Sequence, residues 1–133
     1  MNFLHPEDWP RAPGFSWGVA AEGKMVFAAG QIGRDPATGA YVKGDFGAQA
    51  TQALANLVTV LGEAGAGPEH IVHMTWYVTD IDAYKAAGRD IGAGYKAHIG
   101  KHFPSMTMLQ VGALLDSDAL VEIECFAVMP SGA

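Results

Sequence analysis

The sequence predicts a single α+β domain in which two helices pack on one face of a mixed β-sheet. Three stretches carry that reading. Residues 45–64 repeat apolar side chains at helical spacing, residues 71–79 form a β-branched and aromatic run, and residues 102–128 alternate as two strands joined by a short polar loop. The element order read along the chain is β-β-(β)-α-β-α-β-β, with no repeat, linker or low-complexity tract inside residues 1–133.

Residues 1–14 hold three prolines and no period, so they read as an extended arm with Phe3, Leu4 and Trp9 as anchors. Residues 15–21 and 24–29 read as two strands around the turn pair Glu22-Gly23. Gly30 ends the second strand, Asp35-Pro36 and Thr38-Gly39 are turn signals, and Tyr41-Val42 leaves room for one short strand. Asp45 is placed to cap the first helix, although the capping box is incomplete because Ala48 stands three residues on. Phe46, Ala50, Ala53, Leu54, Leu57, Val58 and Leu61 form its apolar stripe, and Gly65 with Gly67-Pro68 stops it.

Strand 71–79 is apolar on both faces, with Val72, Met74, Trp76 and Val78 on one and Ile71 and Tyr77 on the other. A helix covers one face, and a second subunit is the natural cover for the other. Thr79 and Asp82 have the spacing of an acidic capping box, opening a second helix over 81–99 with Tyr84, Ile91 and Tyr95 on one stripe. Gly88, Gly92 and Gly94 each cost that helix roughly 1 kcal/mol relative to alanine, so packing must hold it, with the glycines allowing close approach to the sheet. In the last two strands Val121, Ile123, Cys125 and Ala127 make an apolar face and Glu122 and Glu124 leave from the opposite side. Met106, Met108 and the two glutamates are expected on the face left to water or a partner.

Composition bounds the function. The net charge is −6 with no basic run, which disfavours nucleic acid and anionic membrane as partners. One cysteine precludes an internal disulfide and fits a reducing compartment, and the first residues lack the apolar core of a signal peptide, so the cytoplasm is the expected location. His98 and His102 are four apart, but Gly100 and Pro104 interrupt the helix, so they read as surface histidines rather than a zinc pair. Cys125 reads as core rather than nucleophile. The carboxylate that remains is Glu122. Two readings stand: a solvated or interface-paired acid, or a general acid/base in an apolar cleft beside Met106, Met108 and an aromatic such as Phe15 or Trp17.

A resemblance then enters on ordered landmarks. These are Gly14-Phe15-Ser16, Ala29-Gly30-Gln31-Ile32, Asp35-Pro36-Ala37-Thr38-Gly39, Gln52-Ala53-Leu54-Ala55-Asn56-Leu57, Tyr77-Val78-Thr79-Asp80, Phe103-Pro104 and Val121-Glu122-Ile123-Glu124. Across nearly its whole length the chain resembles the RidA/YjgF family of reactive imine and enamine deaminases. The resemblance implies a chorismate-mutase-like fold and a homotrimer with three inter-subunit clefts. It implies a small-molecule substrate, no cofactor, and hydrolysis of 2-imino or 2-enamine acids to 2-keto acids and ammonia. It makes Glu122 the catalytic residue and puts Phe15, Ala29, Gly30, Met106 and Met108 at the substrate, to which the reading of the residues adds Trp17 as a substrate-binding aromatic. The departures are large. Met106 stands where the family has the arginine that grips the substrate carboxylate, Phe15 where it has tyrosine, Ala29 where it has serine, Met108 where it has cysteine, and Gly92 where it has a helix asparagine. Methionine offers no bidentate charged fork, so the expected substrate is a reactive imine or related metabolite other than a simple 2-imino acid. The alternative is a non-catalytic trimer that binds a small molecule or a protein. The family's other labels, ribonuclease and translation inhibitor, fit poorly with the negative charge and the lack of a histidine pair suited to a phosphodiester.

Overall fold

A computed structural model describes residues 1–131. Its long helix forms where the stripe predicts. In α1 (Phe46–Glu63), Asp45 Oδ1 accepts the Ala48 N–H at 3.0 Å, and Ala50, Ala53, Leu54, Leu57 and Leu61 are fully buried. Each buried leucine contributes about 1.5–3 kcal/mol of transfer free energy. The stripe lies on a four-stranded sheet made of β3 (Lys24–Ile32), β4 (Ile71–Val78), β5 (Ser105–Gln110) and β6 (Val121–Met129), in the order β3-β6-β4-β5. β4 and β5 are parallel and the other pairs antiparallel, so the sheet is mixed. Parallel neighbours need a crossover, and α2 (Ile81–Ala86) with α3 (Gly88–His98) supplies it.

Several expectations are corrected. The strand expected at 15–21 is only β2 (Gly18–Ala20), and it makes no hairpin with β3. It pairs instead with β1 (Asn2–Leu4), which forms inside the supposedly featureless arm. Gly23 has φ 147°, and a Cβ there would run into the Met129 carbonyl, so the chain passes the end of β6 closely before entering β3. Residues 41–42 give only an isolated bridge from Tyr41 to Arg34. The helix expected over 81–99 breaks at Ala87, whose N–H turns back to the Ala83 and Tyr84 carbonyls. Asp80, not Thr79, caps it: Asp80 Oδ1 accepts from Asp82 and Ala83, while the Thr79 hydroxyl bonds to the Leu120 carbonyl. The link between β5 and β6 is ten residues long, with Leu115 fully exposed.

The expected alternation in β4 fails at one point. Pairing with β6 skips a residue at Val72, since Ile71 faces Ala127 and His73 faces Phe126. This bulge brings Ile71 into the core beside Met74, Trp76 and Val78 and leaves His73, Thr75 and Tyr77 on the other face.

Two buried amides on α1 tie the loops to the sheet. Gln49 is 0% exposed. Its Nε2 donates to the Val42 and Asp118 carbonyls, at 3.2 and 3.1 Å, and its Oε1 accepts the Leu120 N–H at 2.9 Å. Asn56 Nδ2 donates to the Ile32 and Arg34 carbonyls. Of the α3 glycines only Gly94 permits a close approach, and it is to α1 rather than the sheet. A Cβ at Gly94 would strike Thr51 Oγ1, whereas Gly88 and Gly92 meet nothing within 4 Å.

The glycines of one helix therefore have opposite expected effects. Gly94→Ala destabilises despite alanine's ~1 kcal/mol helix advantage, because Thr51 is β-branched and pinned by its 2.9 Å bond to the Gly47 carbonyl. Gly92→Ala stabilises by up to about 1 kcal/mol. Urea midpoints in the reverse order would refute the close crossing of α1 and α3. Cys125 is 1% exposed, and burial pushes its thiol up to about 12. At pH 8 it is therefore protonated, and the native protein should leave an aromatic disulfide reagent unreacted. Guanidinium should release one equivalent, and a fast-reacting native thiol would contradict the burial.

Candidate functional site

Apart from Trp17, the expected site residues fall into two groups on opposite sides of the sheet. On the helix side a cavity of about 590 Å³ opens between α2, α3 and β5. Met106 and Met108 form part of its floor, beside Trp76, and Phe15 closes one side. Tyr84, Ile91 and Tyr95 come from the helix stripe, and Gly88 and Gly92 sit in the same stripe. A helix face at 84, 88, 91, 92 and 95 with two positions glycine is a face with a hole in it. None of the lining side chains carries a charge. The Tyr95 hydroxyl donates to the His102 carbonyl at 2.6 Å, and burial raises its pKa, so it acts as a fixed donor.

On the uncovered side lies the acid. The pairing of β3 with β6 skips between Ala28 and Gln31, so Ala29 and Gly30 together oppose Glu124. This bulge leaves both residues exposed beside half-buried Glu122. A Cβ at Gly30 would stand 2.7 Å from Glu122 Oε2, so only glycine lets the carboxylate lie flat against the strand. Glu124 is engaged otherwise: the Tyr77 hydroxyl donates to its Oε1 at 2.6 Å. That bond, then desolvation, raises the Tyr77 pKa. No protein donor reaches Glu122 among the described residues. Glu122 thus has glycine and backbone on one side, at the Gly30 approach, and is only half-buried.

The single cleft expected to join Glu122 with Met106 and Met108 is therefore not present within one chain. Parallel pairing sets Met106 beside Met74 and Met108 beside Trp76, both in the core, whereas Glu122 pairs with Tyr77 on the other face. Periodicity alone could not choose, because Thr107, Leu109 and Val111 offer the other side of that stretch an apolar set of its own. Trp17 also lies outside the cavity. It packs edge-on to Trp9 and Phe15, at 4.9 and 5.2 Å between ring centroids, and its Nε1 donates to the Pro10 carbonyl at 3.0 Å. The cavity residues missed from the sequence are Trp76, Tyr84, Ile91, Tyr95 and Phe103. The signal for three of them was the helix stripe itself, read only as core.

The remaining candidates have structural partners. His102 Nε2 lies 2.7 Å from the Ile71 carbonyl, His73 Nδ1 2.8 Å from Ser105 Oγ, and His70 Nδ1 accepts the Gly67 N–H. Among the described residues no cluster of three or more His, Cys, Asp or Glu is arranged to hold a metal. Arg34 is exposed in its turn, 3.9 Å from Asp116.

Comparison with known proteins agrees with this architecture. Residues 9–129 match the family described as endoribonuclease L-PSP. The chain is 36% identical over 133 residues to a RutC family protein of Synechocystis, covering 98% of each. It is 35% identical over 105 residues to the 2-iminobutanoate/2-iminopropanoate deaminase of Capra hircus, covering 79% of this chain and 73% of that one. The solved structure of a conserved Rid family protein from Yersinia pestis superposes with a TM-score of 0.79 at 32% identity, over 96% of this chain and 98% of that one. With a family match over nearly its whole length and a fold shared with Rid proteins, this chain belongs to the endoribonuclease L-PSP family, which includes the RutC and Rid proteins.

Proposed function

We propose that this protein hydrolyses the C=N bond of a reactive imine, or of its enamine tautomer, in clefts between the subunits of a homotrimer. The observation that carries the reading is the division of the site. The acid and the binding cavity lie on opposite faces of one sheet, so a complete cleft needs the open face of one subunit against the cavity of the next. The open face suits burial: Phe27 is 63% exposed and packs edge-on to Phe126, Met25 on the same strand is exposed too, and Leu109 is exposed on the opposite edge strand. The goat relative named as an imine deaminase gives the reaction class.

In this mechanism Glu122 takes a proton from a water held against the Ala29–Gly30 bulge, and the oxygen adds to the imine carbon. The carboxylic acid then returns the proton to nitrogen. Glu122 then takes the carbinolamine's hydroxyl proton and passes it to the amine, and collapse breaks the C–N bond, releasing ammonia and leaving a carbonyl. Water is the only co-reactant. Backbone groups freed by the bulge can hold the water or the developing oxyanion. With Met106 in the floor, a carboxylate beside the reacting carbon would enter the cavity without a charged partner. Losing a charged hydrogen bond costs about 1.5–3 kcal/mol, so small 2-imino acids are poor substrates and apolar imines better ones. A non-catalytic trimeric binder is the second reading, favoured by the uncharged cavity.

Ammonia release from imines generated in situ, by an amino-acid oxidase for 2-imino acids and by an amine oxidase for imines without a carboxylate, tests the first reading. Wild type should act on imines without an adjacent carboxylate, Glu122→Gln should lose at least about a hundredfold, and Met106→Arg should gain on 2-imino acids. Efficient turnover of simple 2-imino acids by wild type would refute the argument from Met106. Equal ligand affinity in wild type and Glu122→Gln without turnover in either supports the binder. Assembly is tested by sedimentation: wild type should run at about three times the chain mass, and Phe27→Asp as a monomer. A monomeric wild type removes the shared cleft.

A further inference from the structure

The cavity carries no charge, yet a cation stands at its rim. A shallow depression lined by Arg11, Ala12, Pro13, Gly14 and Phe103 shares its last three residues with the cavity wall. The arm fixes Arg11 from both sides. Before it, the Pro10 carbonyl accepts the Trp17 indole N–H at 3.0 Å. After it, the Ser16 N–H and hydroxyl donate to the Pro104 and Phe103 carbonyls at 3.1 and 2.6 Å. Arg11 is thus exposed but held at a set place beside the opening. The chain has three arginines, and Arg34 faces Asp116. Arg11 makes no ion pair among the described residues, although Glu7 and Asp8 precede it in the same arm.

We infer that Arg11 is the anion contact of this cavity, and that the ligand is a long acid with an apolar or aromatic body inside and a carboxylate several atoms away at the rim. The inference rests on the cavity being the binding half of the proposed cleft. A carboxylate drawn into an uncharged aromatic pocket would be desolvated with no counter-ion. Left at the rim, it keeps part of its water and meets a planar fork suited to bidentate pairing. An apolar body meanwhile buries its surface against Met106, Met108 and the rings. The substitution at Met106 then displaces the charged contact outward and sets a longer ligand.

The probes are 4-phenylbutyrate and its uncharged analogue 4-phenylbutyramide, titrated against the full chain by calorimetry at low salt. Wild type should bind the acid about three- to tenfold more tightly than the amide, and the preference should shrink at about 0.5 M salt. Arg11→Gln should abolish the preference and leave amide affinity unchanged. Arg89→Gln, on α3 and outside the cavity lining, should retain it. The inference is overturned if wild type binds acid and amide equally, if Arg11→Gln keeps the preference, if Arg89→Gln loses it too, or if neither probe binds. Equilibrium binding separates this outcome from the hydrolase reading. An inactive protein that still selects the acid through Arg11 sinks the hydrolysis alone, and an active one indifferent to Arg11 sinks only the clamp.

Discussion

A sheet has two faces, and this chain has helix enough for one. α1 covers β3 and β6 with a stripe of alanine and leucine that joins one buried core with the inward side chains of the sheet. The alternation in β6 obeys this constraint most plainly: Val121, Ile123, Cys125 and Ala127 go under the helix, so Glu122 and Glu124 must go to the other side. The acid of the proposed site is thus placed by packing. Given the apolar residues flanking it, Glu122 could face the core only by burying an unpaired charge, at a cost of several kcal/mol. The same constraint leaves Phe27 and Met25 exposed opposite the helices, with Phe27 packed edge-on to Phe126, an apolar surface of the kind that marks an interaction site.

Bulges adjust this pattern where simple alternation would conflict with it. At Val72 one extra residue lets both Ile71 and Met74 reach the core. At Ala29–Gly30 the extra residue sits opposite Glu124 and brings glycine under the Glu122 carboxylate. The first is a packing device, while the second shapes a surface with chemical potential. They share a mechanism, a local two-against-one count in an antiparallel ladder.

Periodicity reports what a residue does along its own element, and that part was legible. The α1 stripe, the β6 faces, the buried Cys125 and the two-layer architecture all follow from spacing and residue type. What could not be read is register between elements. Nothing local says that β2 pairs with β1 rather than β3, or that Met106 stands beside Met74. Each face of 105–111 offered an acceptable apolar set, so the choice fell to the partner strand. Gln49 was hidden for a related reason. An amide inside a helical stripe looks solvated until the loop carbonyls of Val42 and Asp118 are brought to it by tertiary folding. The cavity was half legible: Tyr84, Ile91 and Tyr95 were seen as a stripe, but the space between them is made by what Gly88 and Gly92 lack.

The division of the site has a chemical consequence. The cavity is lined by Phe15, Met106, Met108 and the α3 stripe, on the helix side; Glu122 stands beside Gly30, Tyr77 and Glu124, on the other. No side chain belongs to both sets. The identity of residue 106 therefore touches nothing that positions Glu122: the Gly30 contact and the Tyr77–Glu124 hydrogen bond depend on β3, β4 and β6, not on β5. Within one chain, binding preference can be rewritten while the surroundings of the acid stay fixed. This is why, for the proposed function, methionine at a position where the resemblance implies arginine argues first for a different ligand, and for absence of chemistry only if Glu122 itself proves idle.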